Sequence, residues 1–365
     1  MTHAWLPQHP AAIGVALTLA VALVAGCSDD GASSARGSAD PVQGLLDGWA
    51  GQGRGGVAVA MAGNDNELTL AAAGTDGPDG GSLEPDDAFR VGSLSKTFVA
   101  VMVLQLVADG ALGLDDLVVD HDPELTIADG VTIRQLLAHR SGIPEHTDSE
   151  LAPVLLADPA HAWTPADVLD LVADQPRDFE PGEEFAYSNT NYVVAGLLLE
   201  SVTGMSLADN LSLRIVEPLA LTSTWFAPAD GRTPIGGFSR SLPGGDTGGA
   251  SYVGLETAAG AAGALVSTAS DLATFLRALA HGELLPASTY AEMTRDLPSE
   301  GWSLGVFAAD PPTVTGISNS GAIPGFTAYM QYDPATEDLF VLLLNDDSRS
   351  PEQLGTALSA IVQAR

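Results

Sequence analysis

A single lysine, Lys96, and a single cysteine, Cys27, are all that the 365 residues hold of either type. Without a second cysteine no internal disulfide is possible, and no cysteine pair exists to ligate zinc. None of the seven histidines stands in a His-Glu-x-x-His pair, so that helical metal signature is missing too. Positive charge is scarce: 14 basic residues against 47 acidic ones give a formal net charge of −33. Such a surface repels phosphate backbones and anionic lipid, which argues against non-specific nucleic-acid binding and against adsorption through a basic face. An apolar share of 45% is that of a folded chain. At this length folding removes roughly 70–75% of the surface from water, with no need of a metal or cofactor to hold the core. None is expected.

The amino terminus reads as an address. Ala11 to Ala25 carries no charge and is rich in Ala, Val and Leu; it is too short for a span of about 20 residues and suits the apolar core of an export signal. It ends in Val24-Ala25-Gly26-Cys27, which resembles the lipobox of bacterial lipoproteins. That likeness implies cleavage before Cys27 and lipid on its thiol; an ordinary secretory cut nearby is the alternative. Met1 to Pro10 lacks the Lys or Arg usual ahead of such a core. Ser28 to Asp40, rich in Gly, Ser, Ala and Asp, reads as a flexible tether. The expected layout is an export signal over 1–26, a lipidated cysteine and tether over 27–40, and one folded domain over 41–365. The expected place is outside the cell, either secreted or held at the outer face of the cytoplasmic membrane by lipid alone.

Within 41–365, Pro41–Ala50 reads as a short helix, and Val57–Met61 with Leu68–Ala73 as a hairpin. Ser93–Asp109 is apolar nearly all round, the mark of a buried helix, and Gly110 stops it. Helical segments follow near Thr132–His139, Pro165–Ala173, Tyr192–Thr203, Leu207–Ile215 and Ala269–His281. Trp302–Phe307, Gly316–Ser320, Phe326–Tyr332 and Leu339–Leu344 read as strands, and Pro351–Gln363 as a closing helix. Strands at both ends with helices between predict an α+β domain: one mixed sheet from both termini with a mostly helical subdomain inserted. No internal repeat is present.

Gly51-Gln52-Gly53-Arg54-Gly55-Gly56 matches a dinucleotide fingerprint. It follows a helix and precedes a strand, the reverse of the required order, and reads as a turn. Ser93-Leu94-Ser95-Lys96 is the stronger signal. Residues three apart share a helix face, so Ser93 and Lys96 are neighbours. A lysine in an apolar setting has a lowered pKa and can take a proton from a serine hydroxyl. A serine cap followed by a surface lysine is the plain alternative. Tyr187-Ser188-Asn189 lies 94 residues after Ser93. A tyrosine beside a lysine can act as base and then acid, and an asparagine can grip an amide through both its donor and its acceptor. Capping of the next helix would explain the same residues.

Taken together the motifs resemble the serine β-lactamase and penicillin-recognising DD-peptidase family, in its class C-like branch, and most of all D-alanyl-D-alanine carboxypeptidases. The likeness runs through Phe89 to Lys96, Thr132 to Ile143, Pro181-Gly182 to Tyr192, Ala262 to Leu265 and Pro324 to Phe326. It implies an antiparallel sheet built from both chain ends, flanked by helices. It also implies that Ser93 is the acylated nucleophile, Lys96 its proton partner, Tyr187 the general base and acid, and Asn189 a substrate-orienting residue. The oxyanion hole would be the backbone N–H groups of Ser93 and Ala322.

The third motif of that family, usually Lys or His, then Thr or Ser, then Gly, maps to Asn319-Ser320-Gly321. These three are expected to bind substrate, but Asn319 brings no charge, and Trp302 to Gly321 holds no Lys, Arg or His. A substrate carboxylate would normally meet a cation there. Three functions stay open: a serine carboxypeptidase of peptidoglycan stem peptides, a β-lactamase, esterase or D-amino-acid amidase of the same mechanism, and a weakly active penicillin-binding sensor. A monomer acting on a small molecule or stem peptide is expected, with β-lactams as further ligands.

Overall fold

Every residue from Gly56 to Ala62 is buried, and that fact explains the architecture. A strand alternates its side chains between two faces, so a strand buried throughout needs both faces of its sheet covered. The computed structural model describes residues 40–63, 67–147, 158–229, 231–242, 245, 247, 252–296, 301–308 and 316–363. Cys27, the signal over 1–26 and the tether up to residue 39 lie outside the described residues. Asp40, assigned to the tether, belongs to the fold: its carboxylate accepts from the Val42 N–H and caps the first helix.

In chain order the framing elements are α1 (Pro41–Ala50), β1 (Gly56–Ala62), β2 (Thr69–Gly74), β3 (Phe89–Arg90), α2 (Ser95–Ala108), α3 (Ile133–Leu137), α4 (Thr190–Thr203), β4 (Trp225–Phe226), α5 (Val253–Gly263), β5 (Leu265–Ser267), α6 (Ala269–Ala280), β6 (Phe307–Ala308), β7 (Ile317–Ile323), β8 (Phe326–Asp333), β9 (Asp338–Leu344) and α7 (Glu352–Gln363). Six strands form one sheet in the order β2-β1-β9-β8-β7-β6. All its pairings are antiparallel, so the mixed sheet expected from the strand pattern is corrected to the antiparallel one. Both chain ends do build it, with Val57 opposite Leu344 in the centre.

The alternation sorts the core. Val57, Val59 and Met61 join Leu342 and Leu344 under α1 and α7. Ala58, Ala60 and Ala62 turn the other way into the main core with Val341, Leu343 and α6. Small side chains on that face let α6 lie close to the sheet. Helix α2 is buried along almost its whole length, as its apolar sequence predicts, and Gly110 takes the left-handed conformation that ends it.

One further expectation needs correction. Trp302–Phe307 is not a continuous strand: Gly305 has φ +82°, Ser303 N–H bonds back to the Val306 carbonyl, and only Phe307–Ala308 pairs with β7. The turn outweighs the apolar run. A second small antiparallel sheet, β3-β5-β4, was not foreseen. Its strands of two or three residues are too short to show a period.

Candidate active site

Gly92 to Leu94 forms a single 3-10 turn immediately ahead of α2, and Ser93 sits on it. Two sheets hold that turn. On one side Val91 N–H bonds to the Leu265 carbonyl, continuing the β3–β5 ladder. On the other side β7 runs so close that no side chain fits between. A Cβ on Gly321 would overlap the Val91 carbonyl and lie 3.1 Å from Ser93 N, and one on Gly92 would lie 2.8 Å from Ala322 N. Gly92 also has φ +54°, a conformation glycine adopts freely. The close approach of β7 to the turn puts the Ser93 and Ala322 backbone nitrogens on facing segments, the kind of placement an oxyanion site needs.

A buried ion pair adds to the frame. Arg90 Nη2 lies 2.7 Å from Glu256 Oε1, with the guanidinium over the rings of Tyr252 and Phe326 at 4.8 and 5.6 Å. It ties β3 to α5, the helix that carries Ala262.

Lys96 lies one helical turn after Ser93 and is fully buried. Its Nζ donates to Ser93 Oγ at 3.0 Å, to Asn189 Oδ1 at 2.7 Å and to the Ala262 carbonyl at 2.7 Å. Three acceptors use all three ammonium hydrogens. Burial nonetheless lowers the Lys96 pKa to about 7, against an opposing pull from Glu145. The Tyr187 hydroxyl donates to the same Ser93 Oγ at 2.9 Å. Its phenol is pushed well above the ordinary range, first by burial, with Glu145 adding and the Ser93 hydrogen bond opposing. A serine flanked by an amine that exchanges its proton near neutrality and a phenol that keeps its own has an acceptor for its proton and a donor for a leaving group.

The sequence motifs therefore meet. Ser93 is hydrogen-bonded by both Lys96 and Tyr187, Lys96 in turn to Asn189, and the Ala322 backbone lies against Gly92 beside them. Asn319 does not join them. It is buried, and its side-chain amide donates to Thr97 Oγ1 at 2.8 Å while its Oδ1 accepts from the Ser320 N–H at 2.8 Å. Asn319 Nδ2 also reaches the Ser93 carbonyl at 3.4 Å. An asparagine is short and well matched to backbone groups, so it braces α2 from within. The expected substrate contact of Asn319 is corrected on that ground. Ser320 and Ala322 are on the exposed side of β7, and Gly321 is buried against the turn.

Three contributors were not assigned a role from sequence. His139 stacks at 4.3 Å on the Tyr187 ring; burial, then Lys96, holds its pKa well down. Its Nδ1 takes the Ser188 N–H at 3.1 Å, which places the ring proton on Nε2. His139 belongs to the Thr132–Ile143 stretch, yet nothing local showed what it would touch. Glu145 accepts from the backbone N–H of Asn189 and Thr147. The Trp302 ring meets those of His139 and Tyr187 at 4.8 and 6.1 Å. Trp302 also walls a cleft of about 240 Å³ with Ala138, Arg140, Phe185 and Asp296, where Phe185 is 46% exposed. Among the described residues no group of three His, Cys, Asp or Glu side chains is placed to hold a metal ion.

Known proteins share this arrangement of elements. Among solved structures, D-amino acid amidase from Ochrobactrum anthropi SV3, complexed with L-phenylalanine, superposes with a TM-score of 0.77 at 28% identity, covering 89% of this chain and 99% of that one. Penicillin-binding protein 4 of Amycolatopsis lactamdurans is 29% identical over 298 residues, 73% of this chain and 74% of that protein. Protein flp of Staphylococcus aureus is 32% identical over 147 residues, which are 39% of this chain and 28% of flp, so the matched part spans less than a third of that relative. The Beta-lactamase family matches residues 43–364, nearly all of the folded part, and the chain belongs to that family of serine hydrolase fold.

Proposed function

We propose that the protein is a serine hydrolase that cleaves an amide or ester bond of a small substrate built on a D-amino acid, through an acyl-enzyme on Ser93. The observation that carries this reading is the convergence of Lys96 Nζ and Tyr187 Oη on Ser93 Oγ at 3.0 and 2.9 Å. Neutral Lys96 takes the Ser93 proton as Oγ attacks the carbonyl carbon. The Ser93 and Ala322 N–H groups receive the developing oxyanion. Tyr187 gives its proton to the leaving group and regains one from Lys96. Water then repeats the sequence on the ester. In this reading Lys96 is the resting base, and Tyr187, with its raised pKa, is the proton donor.

The inward turn of Asn319, and the lack of any basic residue from Trp302 to Gly321, favour a neutral amide or ester over a substrate that ends in a carboxylate. The likeness to a D-amino acid amidase supports the same side. The likeness to penicillin-binding protein 4 supports a second reading, a carboxypeptidase of D-alanyl-D-alanine stem peptides that β-lactams also acylate. Intact mass after brief incubation separates them. D-phenylalanine amide is consumed in the first reading, whereas a lasting benzylpenicillin adduct appears in the second. Ser93→Ala abolishes either result. Turnover by Ser93→Ala equal to the parent would sink the acyl-enzyme mechanism itself.

The cleft makes a separate prediction. Phe185 and Trp302 offer aromatic walls to an apolar side chain on the acyl group. Phe185→Ala is expected to raise KM for D-phenylalanine amide by about ten-fold and to change KM for D-alanine amide far less. Equal effects on both would remove the cleft from substrate recognition.

A further inference from the structure

Resting on the acyl-enzyme reading, we propose that Glu145 is a positioning residue that holds Lys96 in place and keeps its amine able to carry a proton. Glu145 touches neither Ser93 nor the reacting bond. It works through Asn189: one carboxylate oxygen accepts the Asn189 backbone N–H, and the Asn189 side chain accepts from Lys96 Nζ at 2.7 Å. The other oxygen accepts the Thr147 N–H at 2.8 Å and lies 3.7 Å from His146 Nδ1. The side chain is 8% exposed, so water does little to screen its charge.

Charge matters here because Lys96 has few other sources of it. The Tyr187 and Tyr192 rings face Nζ at 5.0 and 5.7 Å, and burial keeps both phenols neutral. His139 and His146 lie close enough for the Lys96 charge to disfavour theirs. The nucleophile is a serine, and the Ala262 contact is a backbone carbonyl. Among these neighbours Glu145 is the group that opposes the desolvation of Lys96. Without it the amine would bind its proton too weakly to take one from Ser93. The same carboxylate makes the Tyr187 phenolate harder to form, which keeps that proton available for the leaving group. One buried charge therefore favours the protonated form of both partners of the serine.

The single lysine makes a direct test possible. Protein grown with [13Cε]lysine carries one label, at Lys96, and its resonance titrates whether or not any substrate turns over. The parent midpoint is expected near pH 7. In Glu145→Gln it is expected to fall by about one pH unit, the size of effect a nearby charge exerts. The pH at which p-nitrophenyl acetate hydrolysis becomes half-maximal should fall with it. Glu145→Asp withdraws the charge by one methylene and should move both in the same direction by less, which keeps the test available if the glutamine variant does not fold. A labelled lysine whose midpoint is unmoved in a folded variant overturns the proposal. A residue that mattered only for packing would lower the rate at every pH and leave the midpoint alone. Failure of Ser93 to acylate would overturn the hydrolase reading, while the lysine titration would still report on Glu145.

Discussion

Replacing Lys96 by methionine is expected to cut the rate of Ser93 acylation by about 10²–10⁴-fold and to remove a stability cost that the parent chain carries below about pH 10. The two effects have one origin. The Lys96 amine is buried, and its pKa falls from 10.5 to about 7 on folding. Between those values the folded chain binds fewer protons than the unfolded one, so the stability contributed by this group rises with pH. It is complete above the unfolded value of 10.5, shrinks as pH falls, and is gone below about 7. The interval corresponds to an upper limit of about 5 kcal/mol.

Methionine fills similar space without charge. It leaves Asn189 Oδ1 and the Ala262 carbonyl without their donor, at about 1–3 kcal/mol each, so most of the gain is offset. The quantity to measure is therefore the difference in unfolding free energy between Lys96→Met and the parent at pH 6 and at pH 9. It should favour the variant more at pH 6, by a few kcal/mol. A difference independent of pH would show that Lys96 folds at no electrostatic cost. An unchanged acylation rate would deny it the role of base.

Gly321→Ala is the second large effect, and it follows from space alone. The added methyl overlaps the Val91 carbonyl, a backbone atom held by the β3–β5 ladder and unable to swing aside. β7 must instead draw away from the Ser93 turn. That separates the Ser93 and Ala322 N–H groups, and the loss of one oxyanion donor costs about 10²–10³-fold in kcat. The hydrogen bonds of Lys96 and Tyr187 to Ser93 need not change, because they come from α2 and from the segment before α4. A slow enzyme that still binds D-phenylalanine amide with its usual KM is the expected outcome. A variant with parental kcat would show that β7 lies further from the turn than it does here.

What could be read in the sequence was whatever repeats locally. The continuous apolar run of α2, the β8 and β9 strands, and the Ser93–Lys96 spacing are each written within a few consecutive residues. The features that escaped depend on neighbours far along the chain. β3 and β4 have two residues each, and α5 is an Ala- and Gly-rich segment with little amphipathic contrast. Glu145 was invisible because its significance lies in Asn189, 44 residues on. The sequence pattern places Asn319 in the third motif, but it does not show that the side chain turns inward to Thr97. A single letter gives the residue type, whereas the choice between reaching substrate and bracing Thr97 is made by the packing around α2. The export signal, tether and lipidated Cys27 remain a proposal from sequence.

The pairing of Val57 with Leu344 and of Ala62 with Leu339 also sets a schedule for synthesis. β1 leaves the ribosome early, yet the strand that covers its inner edge is made last. At about 5–20 residues per second the wait is on the order of a quarter of a minute to a minute. Through that time Gly-Val-Ala-Val-Ala-Met-Ala has β2 on one edge and an open ladder on the other, with no charge in it to discourage a stray partner. The order of strands thus makes the newborn chain most vulnerable to aggregation at its first strand, and makes β9 the strand whose loss would leave the Ser93 turn without a finished sheet behind it.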